Sequence, residues 1–183
     1  MIILISGGCK NGKSSLAQKI ACDLAKNEGP DSHLVYFATM IPKDGEDDER
    51  IKKHREDREG LGFETIESGK DIDIAAQKLK EKSIVLFDSL TALTANELFS
   101  GSESKDGQKV MQKLQKELTV LIEKASSVVF VSDAIYSDGK IYGELTERYR
   151  QILADTENFI AKKSDRVMEM TGDDGSCFRI ECT

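Results

Sequence analysis

The run Gly7-Gly8-Cys9-Lys10-Asn11-Gly12-Lys13-Ser14 matches G-x-x-x-x-G-K-S/T at every fixed position. The chemistry of that pattern is phosphate binding. Glycines let backbone N–H groups turn inward around a phosphate with no Cβ in the way. A helix starting at the loop adds the positive end of its dipole. Lys13 is then expected to reach the β- and γ-phosphates of a nucleotide, and Ser14 to ligate Mg²⁺. The pattern carries this meaning only between a strand and a helix. Met1 to Ser6 is a short apolar run that reads as a buried strand. Ser15 to Lys26 places Ala17, Ile20, Ala21 and Leu24 on one helical face. An ordinary glycine turn would not require the motif and both flanking elements to agree.

Asp88 is the second candidate. It follows the apolar run Ser83 to Phe87 directly, where a phosphate-loop protein keeps the acid that organises the metal. A strand-end aspartate can also cap the next helix. Ser89 is able to fill that role instead.

These residues need a frame. His33 to Ala38 (HLVYFA) reads as a second strand, Ser83 to Phe87 as a third and Val128 to Val131 as a fourth. Between them lie helical spacings. Ile72, Ala75, Ala76 and Leu79 mark a short helix, and Val110, Leu114, Leu118, Leu121 and Ile122 a longer one. Leu145, Tyr149, Ile152, Leu153, Thr156 and Ile160 mark another. Arg166 to Met170 and Cys177 to Glu181 read as a terminal hairpin around Asp173-Asp174-Gly175. Strands alternating with helices predict a mostly parallel sheet covered on both faces, with ligands at the C-terminal strand ends. The loop, Thr39, Asp88 and Ser132 all fall at that edge. The charged segment 43–60 and Ser100 to Gly107 (SGSESKDG) read as mobile connections.

Composition narrows the class. The 183 residues suffice for one domain, residues 1–183, with a sizeable core. A net charge of −7 argues against a broad nucleic-acid-binding face. No apolar run approaches membrane-spanning length, and the apolar start lacks a basic flank and a cleavage site. Cys9, Cys22, Cys177 and Cys182 form neither a CxxC pair nor a Cys/His metal spacing. They read as free thiols of a reducing, cytoplasmic compartment.

Asp44 to Glu59 (DGEDDERIKKHREDRE) has a helical pattern of charge pairs, Asp48 before Lys52 and Glu49 before Lys53, and Ile51 is its single apolar residue. A helix polar all round belongs to no core. Composition alone reads it as a solvated helix in which His54 has no special role.

A wider set of motifs gives that histidine a role. The opening Ile3-Leu4-Ile5-Ser6 through Ser14 is followed by Tyr36-Phe37-Ala38-Thr39. Next comes an acidic stretch leading into Arg50-Ile51-Lys52-Lys53-His54-Arg55-Glu56-Asp57-Arg58, which fits RIxxHxxxR. Thr65-Ile66-Glu67, Asp88-Ser89-Leu90, Asn96-Glu97-Leu98-Phe99 and Arg148-Tyr149-Arg150 complete the set. The chain resembles the bifunctional adenosylcobinamide kinase / adenosylcobinamide-phosphate guanylyltransferase family of cobalamin assembly. The resemblance spans most of the chain, and the combination of phosphate loop, AT and RIxxHxxxR is specific. It implies an α/β fold of the P-loop NTPase, RecA-like type, with a mostly parallel sheet flanked by helices and a C-terminal β-hairpin. It also implies a transferase that phosphorylates adenosylcobinamide with ATP or GTP and Mg²⁺. GMP is then transferred from GTP through a covalent intermediate on His54. Catalysis would fall on His54, Lys13 and Asp88, and the metal on Ser14 and Asp88. The nucleotide would be held by Gly7, Gly8, Cys9, Lys10, Asn11, Gly12, Lys13, Ser14, Ser15, Ala38, Thr39, Met40, Arg55, Glu56, Asp57, Arg58, Glu67 and Asp88. A homotrimer is implied as well, with a corrinoid as partner and neither nucleic acid nor membrane.

Departures from the family pattern cluster toward the acceptor side. Glu59 stands for a proline and Phe63 for a tryptophan. Asp133 stands for an asparagine, Ala134 for a glutamate, and Ala154 and Glu157 for a glycine and an asparagine. Two other readings stay open: a phosphate-loop kinase of another small alcohol with His54 idle, and a nucleotide-binding regulatory protein without transfer chemistry.

Overall fold

Apolar runs rich in β-branched and aromatic residues form the strands here, as their composition favours. A computed structural model describes residues 1–9, 11–42, 45, 49, 52, 55–56, 58–99, 106–136 and 139–171, with 177–180 by backbone alone. The strands are β1 (Ile2–Gly7), β2 (His33–Ala38), β3 (Glu64–Glu67), β4 (Ser83–Asp88), β5 (Ser127–Asp133), β6 (Arg166–Met170) and β7 (Cys177–Ile180). The helices among the described residues are α1 (Lys13–Glu28), α2 (Ile72–Ala76), α3 (Leu90–Leu98), α4 (Gly107–Lys124) and α5 (Glu144–Ala161).

The strand order is β3-β2-β4-β5-β1-β6-β7. The first six are mutually parallel, and β7 closes the sheet antiparallel to β6, with Met170 opposite Cys177. The expected parallel sheet and terminal hairpin are both present; the Asp173-Asp174-Gly175 turn lies outside the described residues. One strand, β5, separates the loop strand β1 from the acid strand β4.

Alternation along each strand sorts the side chains between two cores. Leu4, Phe37, Val85, Phe87 and Phe130 join Leu93, Leu114, Leu118 and Ile152 on one face. The Phe37 and Phe87 rings stack at a centroid spacing of 5.4 Å, and the Phe130 ring meets Phe87 at 5.3 Å, tilted by 57°. Ile3, Ile5, Ile84, Leu86, Val129 and Val131 pack on the other face against Ala17, Ala21 and Ala25 of α1.

Sequence patterning does not anticipate β3. Its residues Glu64-Thr65-Ile66-Glu67 are exposed except for Ile66, and it holds its place as an edge strand by pairing with Val35 to Ala38. Within the charged segment, residues 45, 49, 52, 55 and 56 are helical, in line with the charge pairing. The rest of 43–57, and residues 100–105, lie outside the described residues. Among the described residues, no helix is long and apolar enough to cross a membrane.

An ionic cluster ties three helices together. The Lys113 ammonium lies 2.7 Å from Asp71, 2.6 Å from Glu97 and 3.5 Å from Glu117. Glu97 and Glu117 are buried. Burial works against the charged lysine, but its bonds to Asp71 and Glu97 outweigh that and hold its pKa above the ordinary value. Burial pushes Glu117 from 4.5 up to about 7; Lys113 opposes the shift, and Glu97 and Asp73 add to it.

A carboxyl raised on folding binds its proton more tightly in the native state. The stability it contributes is therefore complete below about pH 4.5 and is lost as pH rises through about 7. The loss is at most about 3 kcal/mol. Glu117→Gln should flatten this fall in denaturant titrations run between those pH values. Equal slopes in the variant and the parent would contradict the assignment.

Candidate active site

The phosphate loop starts where β1 runs out beside β6. Gly7 has φ 152°, and a Cβ there would strike the Met170 carbonyl oxygen and the Asn11 side chain. Gly12 takes φ 87°, a left-handed turn that delivers the chain into α1. Asn11 is buried and donates to the Met170 carbonyl at 2.9 Å, pinning the loop over β6. Lys13 opens α1 with its side chain folded back into the loop. Its ammonium donates to the Gly8 carbonyl and to Asn11 Oδ1 at 3.3 Å, and it pairs with Asp133 Oδ1 at 2.9 Å.

Strand alternation decides what joins the lysine. Tyr36, Asp88 and Asp133 share the parity of Leu34, Leu86 and Val131, so all three lie on the α1 face at or near the C-terminal ends of their strands. Ser14 Oγ donates to Asp88 Oδ2 at 3.3 Å, and the Tyr36 hydroxyl donates to the same oxygen at 3.0 Å. Burial first, and then the Asp88 charge, push the Tyr36 pKa far above its ordinary value, with Arg58 opposing. The phenol therefore stays a donor and fixes Asp88. Ser89, not Asp88, caps α3, its Oγ accepting from Ala92 N at 3.2 Å. That leaves the Asp88 carboxylate to the loop. Two oxygen donors this close suit a hard cation such as Mg²⁺.

Thr39 is fully buried. Its hydroxyl donates to the Ser89 carbonyl at 2.8 Å and accepts from Ser89 N at 2.7 Å, so it holds the backbone that carries Asp88. Asn96 donates to the carbonyls of Thr39 and Gly69 at 2.7 and 3.1 Å, joining the ends of β2 and β3.

Arg58 belongs to the charged segment yet is only 8% exposed. Its guanidinium carbon sits 3.3 Å from the centre of the Tyr36 ring, a cation–π contact that brings the end of the segment to the phenol holding Asp88. Arg55 pairs with Glu67 at 2.5 Å, both more than half exposed; such a pair adds little stability. Glu56 is 4.0 Å from Lys52. An open groove of about 580 Å³ runs past Arg55, Glu56, Arg58, Phe63 and Thr65.

Gly7, Gly8, Cys9, Asn11, Gly12, Lys13, Ser14 and Ser15 thus form the loop and the start of α1. Ala38 closes β2 opposite Asp88, Thr39 N donates to the Asp88 carbonyl at 3.0 Å, Met40 follows, and Glu67 ends β3. Cys9 and Cys22 are free thiols. His54, Lys10 and Asp57 lie outside the described residues. The candidate residues did not include Tyr36, Asn96 or Asp133. Asp133 carries the same signal as Asp88, an acid closing an apolar strand, and Tyr36 is the hydroxyl-bearing ring in an otherwise apolar strand end.

Lys13→Ala should lower triphosphate affinity by about tenfold to a hundredfold, the loss of a charge-assisted contact. The fold should survive, because the side chain supports no core and Asp133, left alone, can be solvated. Calorimetric titration with ATP and a thermal melt check both. Unchanged affinity in the folded variant would contradict the role.

Residues 3–173 match the family described as cobinamide kinase / cobinamide phosphate guanyltransferase. The bifunctional adenosylcobalamin biosynthesis protein CobU of Escherichia coli is 25% identical over 177 residues, covering 91% of this chain and 93% of that protein. Among solved structures, a KaiC-like protein of Pyrococcus horikoshii superposes with TM-score 0.50 at 17% identity. The superposition covers 97% of this chain and 75% of that one. That likeness speaks to the fold, a RecA-like phosphate-loop sheet with one strand between β1 and β4. The match across residues 3–173, taken with the loop geometry, places the chain in the cobinamide kinase / cobinamide phosphate guanyltransferase family, as an enzyme of the transferase class.

Proposed function

We propose that this chain phosphorylates the aminopropanol hydroxyl of adenosylcobinamide with ATP or GTP, and then transfers GMP from GTP to that phosphate, giving adenosylcobinamide-GDP. The observation that carries the reading is the family match over residues 3–173, which takes in the phosphate loop, Asp88 and His54 together. The geometry supports it, since the loop presents Lys13 and Ser14 beside Asp88 at the open edge of the sheet.

In the first step the loop N–H groups and Lys13 hold the β- and γ-phosphates. Ser14 and Asp88 are the residues that would hold Mg²⁺, which would supply charge neutralisation at the phosphates. Tyr36 and Thr39 keep Asp88 in place for this. In the second step an imidazole nitrogen of His54 bonds to the α-phosphorus of GTP and pyrophosphate leaves. The substrate phosphate oxygen then attacks that phosphorus, the P–N bond breaks, and GMP passes to the acceptor. Arg55, Glu56 and Arg58 line the groove next to the segment that carries His54. In this reading they meet the guanine nucleotide, with Arg55 and Arg58 facing its phosphates. The same reading has residues 1–183 act as one nucleotide-binding domain, in the cytoplasm, as a homotrimer.

GTP labelled at the α-phosphate tests the second step. The protein should acquire an acid-labile, base-stable label. His54→Ala should lose the label and keep the ability to phosphorylate adenosylcobinamide with ATP. His33→Ala, altered at the start of β2, should still be labelled. Equal labelling of His54→Ala and the parent, or no label on the parent, would overturn the guanylyl-transfer half.

A further inference from the structure

We propose that Tyr36 is a positioning residue shared by the two transfer steps: one rotamer of its side chain both seats the segment that carries His54 and holds Asp88 at the phosphate loop, so that metal–nucleotide binding and docking of the segment favour each other; this rests on the two-step reading above. Tyr36 stands in β2 opposite Leu86 of β4 and Thr65 of β3. Asp88 is two residues beyond Leu86 and on the same face, so the phenol reaches it along the strand. The hydroxyl donates to Asp88 Oδ2 at 3.0 Å, the oxygen that Ser14 also meets at 3.3 Å. Over the ring lies Arg58, its guanidinium carbon 3.3 Å from the ring centre. Tyr36 is 6% exposed and Arg58 8%. The stack is therefore made away from water, where a cation–π contact is strongest.

Among the described residues of 45–62, Arg58 alone is buried. The end of the charged segment is thus seated on the sheet through this ring. Arg55 makes a second tie, to Glu67, but both partners are more than half exposed, and Glu67 belongs to the edge strand and not to the acid strand. The chain turns at the seated residue: Arg58 N donates to the Arg55 carbonyl and Leu61 N to the Arg58 carbonyl, both at 3.1 Å.

A phenol ring and its hydroxyl move together about the same two torsions. Rotation out of this rotamer breaks the Asp88 and Arg58 contacts at once. Whatever steadies one contact therefore steadies the other, and the effect is reciprocal. With Asp88 held by a bound metal and nucleotide, its hydroxyl donor is held as well, and the ring offers Arg58 a fixed seat. The segment that presents His54 is then docked most firmly when the loop is filled.

Hydrogen exchange at the amides of residues 58–62, followed by mass spectrometry, tests the link. The probe is Mg²⁺ with β,γ-imido-ATP, which fills the loop without turnover. In the parent it should slow exchange at these amides about fivefold or more. Tyr36→Phe keeps the ring and removes the hydroxyl. Its exchange without ligand should lie between those of the parent and Tyr36→Leu, and at saturating probe the slowing should be lost. Tyr36→Leu and Arg58→Met each remove the stack. Both should exchange roughly threefold to thirtyfold faster than the parent without ligand, and the double variant no faster than either. Tyr36→Phe decides the link even if Tyr36→Leu fails to fold. No slowing in the parent overturns the proposal. Full slowing in Tyr36→Phe also overturns it, since the nucleotide then reaches the segment without Tyr36. Additive acceleration in the double variant removes Tyr36 as the seat of Arg58 and overturns it too. Labelling by GTP reads separately. A parent that takes no label yet shows the Tyr36-dependent slowing overturns guanylyl transfer alone, and a labelled parent without the slowing overturns the link alone.

Discussion

The meeting of Ser14 and Asp88 is the contact on which the rest of this molecule depends. One side chain stands in the first turn of α1 and the other closes β4, 74 residues later in the chain. Parallel strands bring them to the same edge, because every strand from β1 to β6 ends there. Alternation then turns Tyr36 and Asp88 toward α1 instead of toward the aromatic face. Shifting β4 by one residue would bury the carboxylate among Phe87 and its neighbours and leave the loop without its acid.

Much of the surrounding structure serves to hold that acid still. Tyr36 bonds its oxygen, Thr39 clamps the following residue, and Asn96 ties the Thr39 backbone to the end of β3. Asn96 and Glu97 leave α3 side by side, one toward the sheet edge and the other into the Lys113 cluster that anchors α2 and α4. The edge strand and three helices are thus linked to the strand that presents Asp88. Buried polar groups satisfied in this way specify one arrangement more than they add stability.

The loop, the parallel sheet and the placement of Asp88 were legible in the sequence because each is set by local pattern: glycines at fixed offsets, apolar runs of strand length, an acid directly after one of them. The Ser89 cap could be read from the same few residues. The strand at Glu64 to Glu67 was not legible, since an exposed edge strand has no apolar alternation and exists by virtue of its partner. Nor was the burial of Arg58. Nothing in a run of charges says which member will stack on a tyrosine 22 residues earlier. Asp133 bore the same mark as Asp88 but gained meaning only when β5 proved to lie between β1 and β4. Which strand sits between which is a property of topology that no local window contains.

The most direct test of this account is the metal at the Ser14–Asp88 junction. Mn²⁺ bound together with ATP carrying oxygen-17 on its γ-phosphate can be followed by electron paramagnetic resonance. Line broadening from the labelled phosphate is expected in the parent. In the Asp88→Asn protein, Mn²⁺ affinity should fall about tenfold or more while metal-free nucleotide affinity holds, as expected on losing one charged oxygen donor. An Asp88→Asn protein that binds Mn²⁺–ATP as tightly as the parent, with the same broadening, would contradict the account.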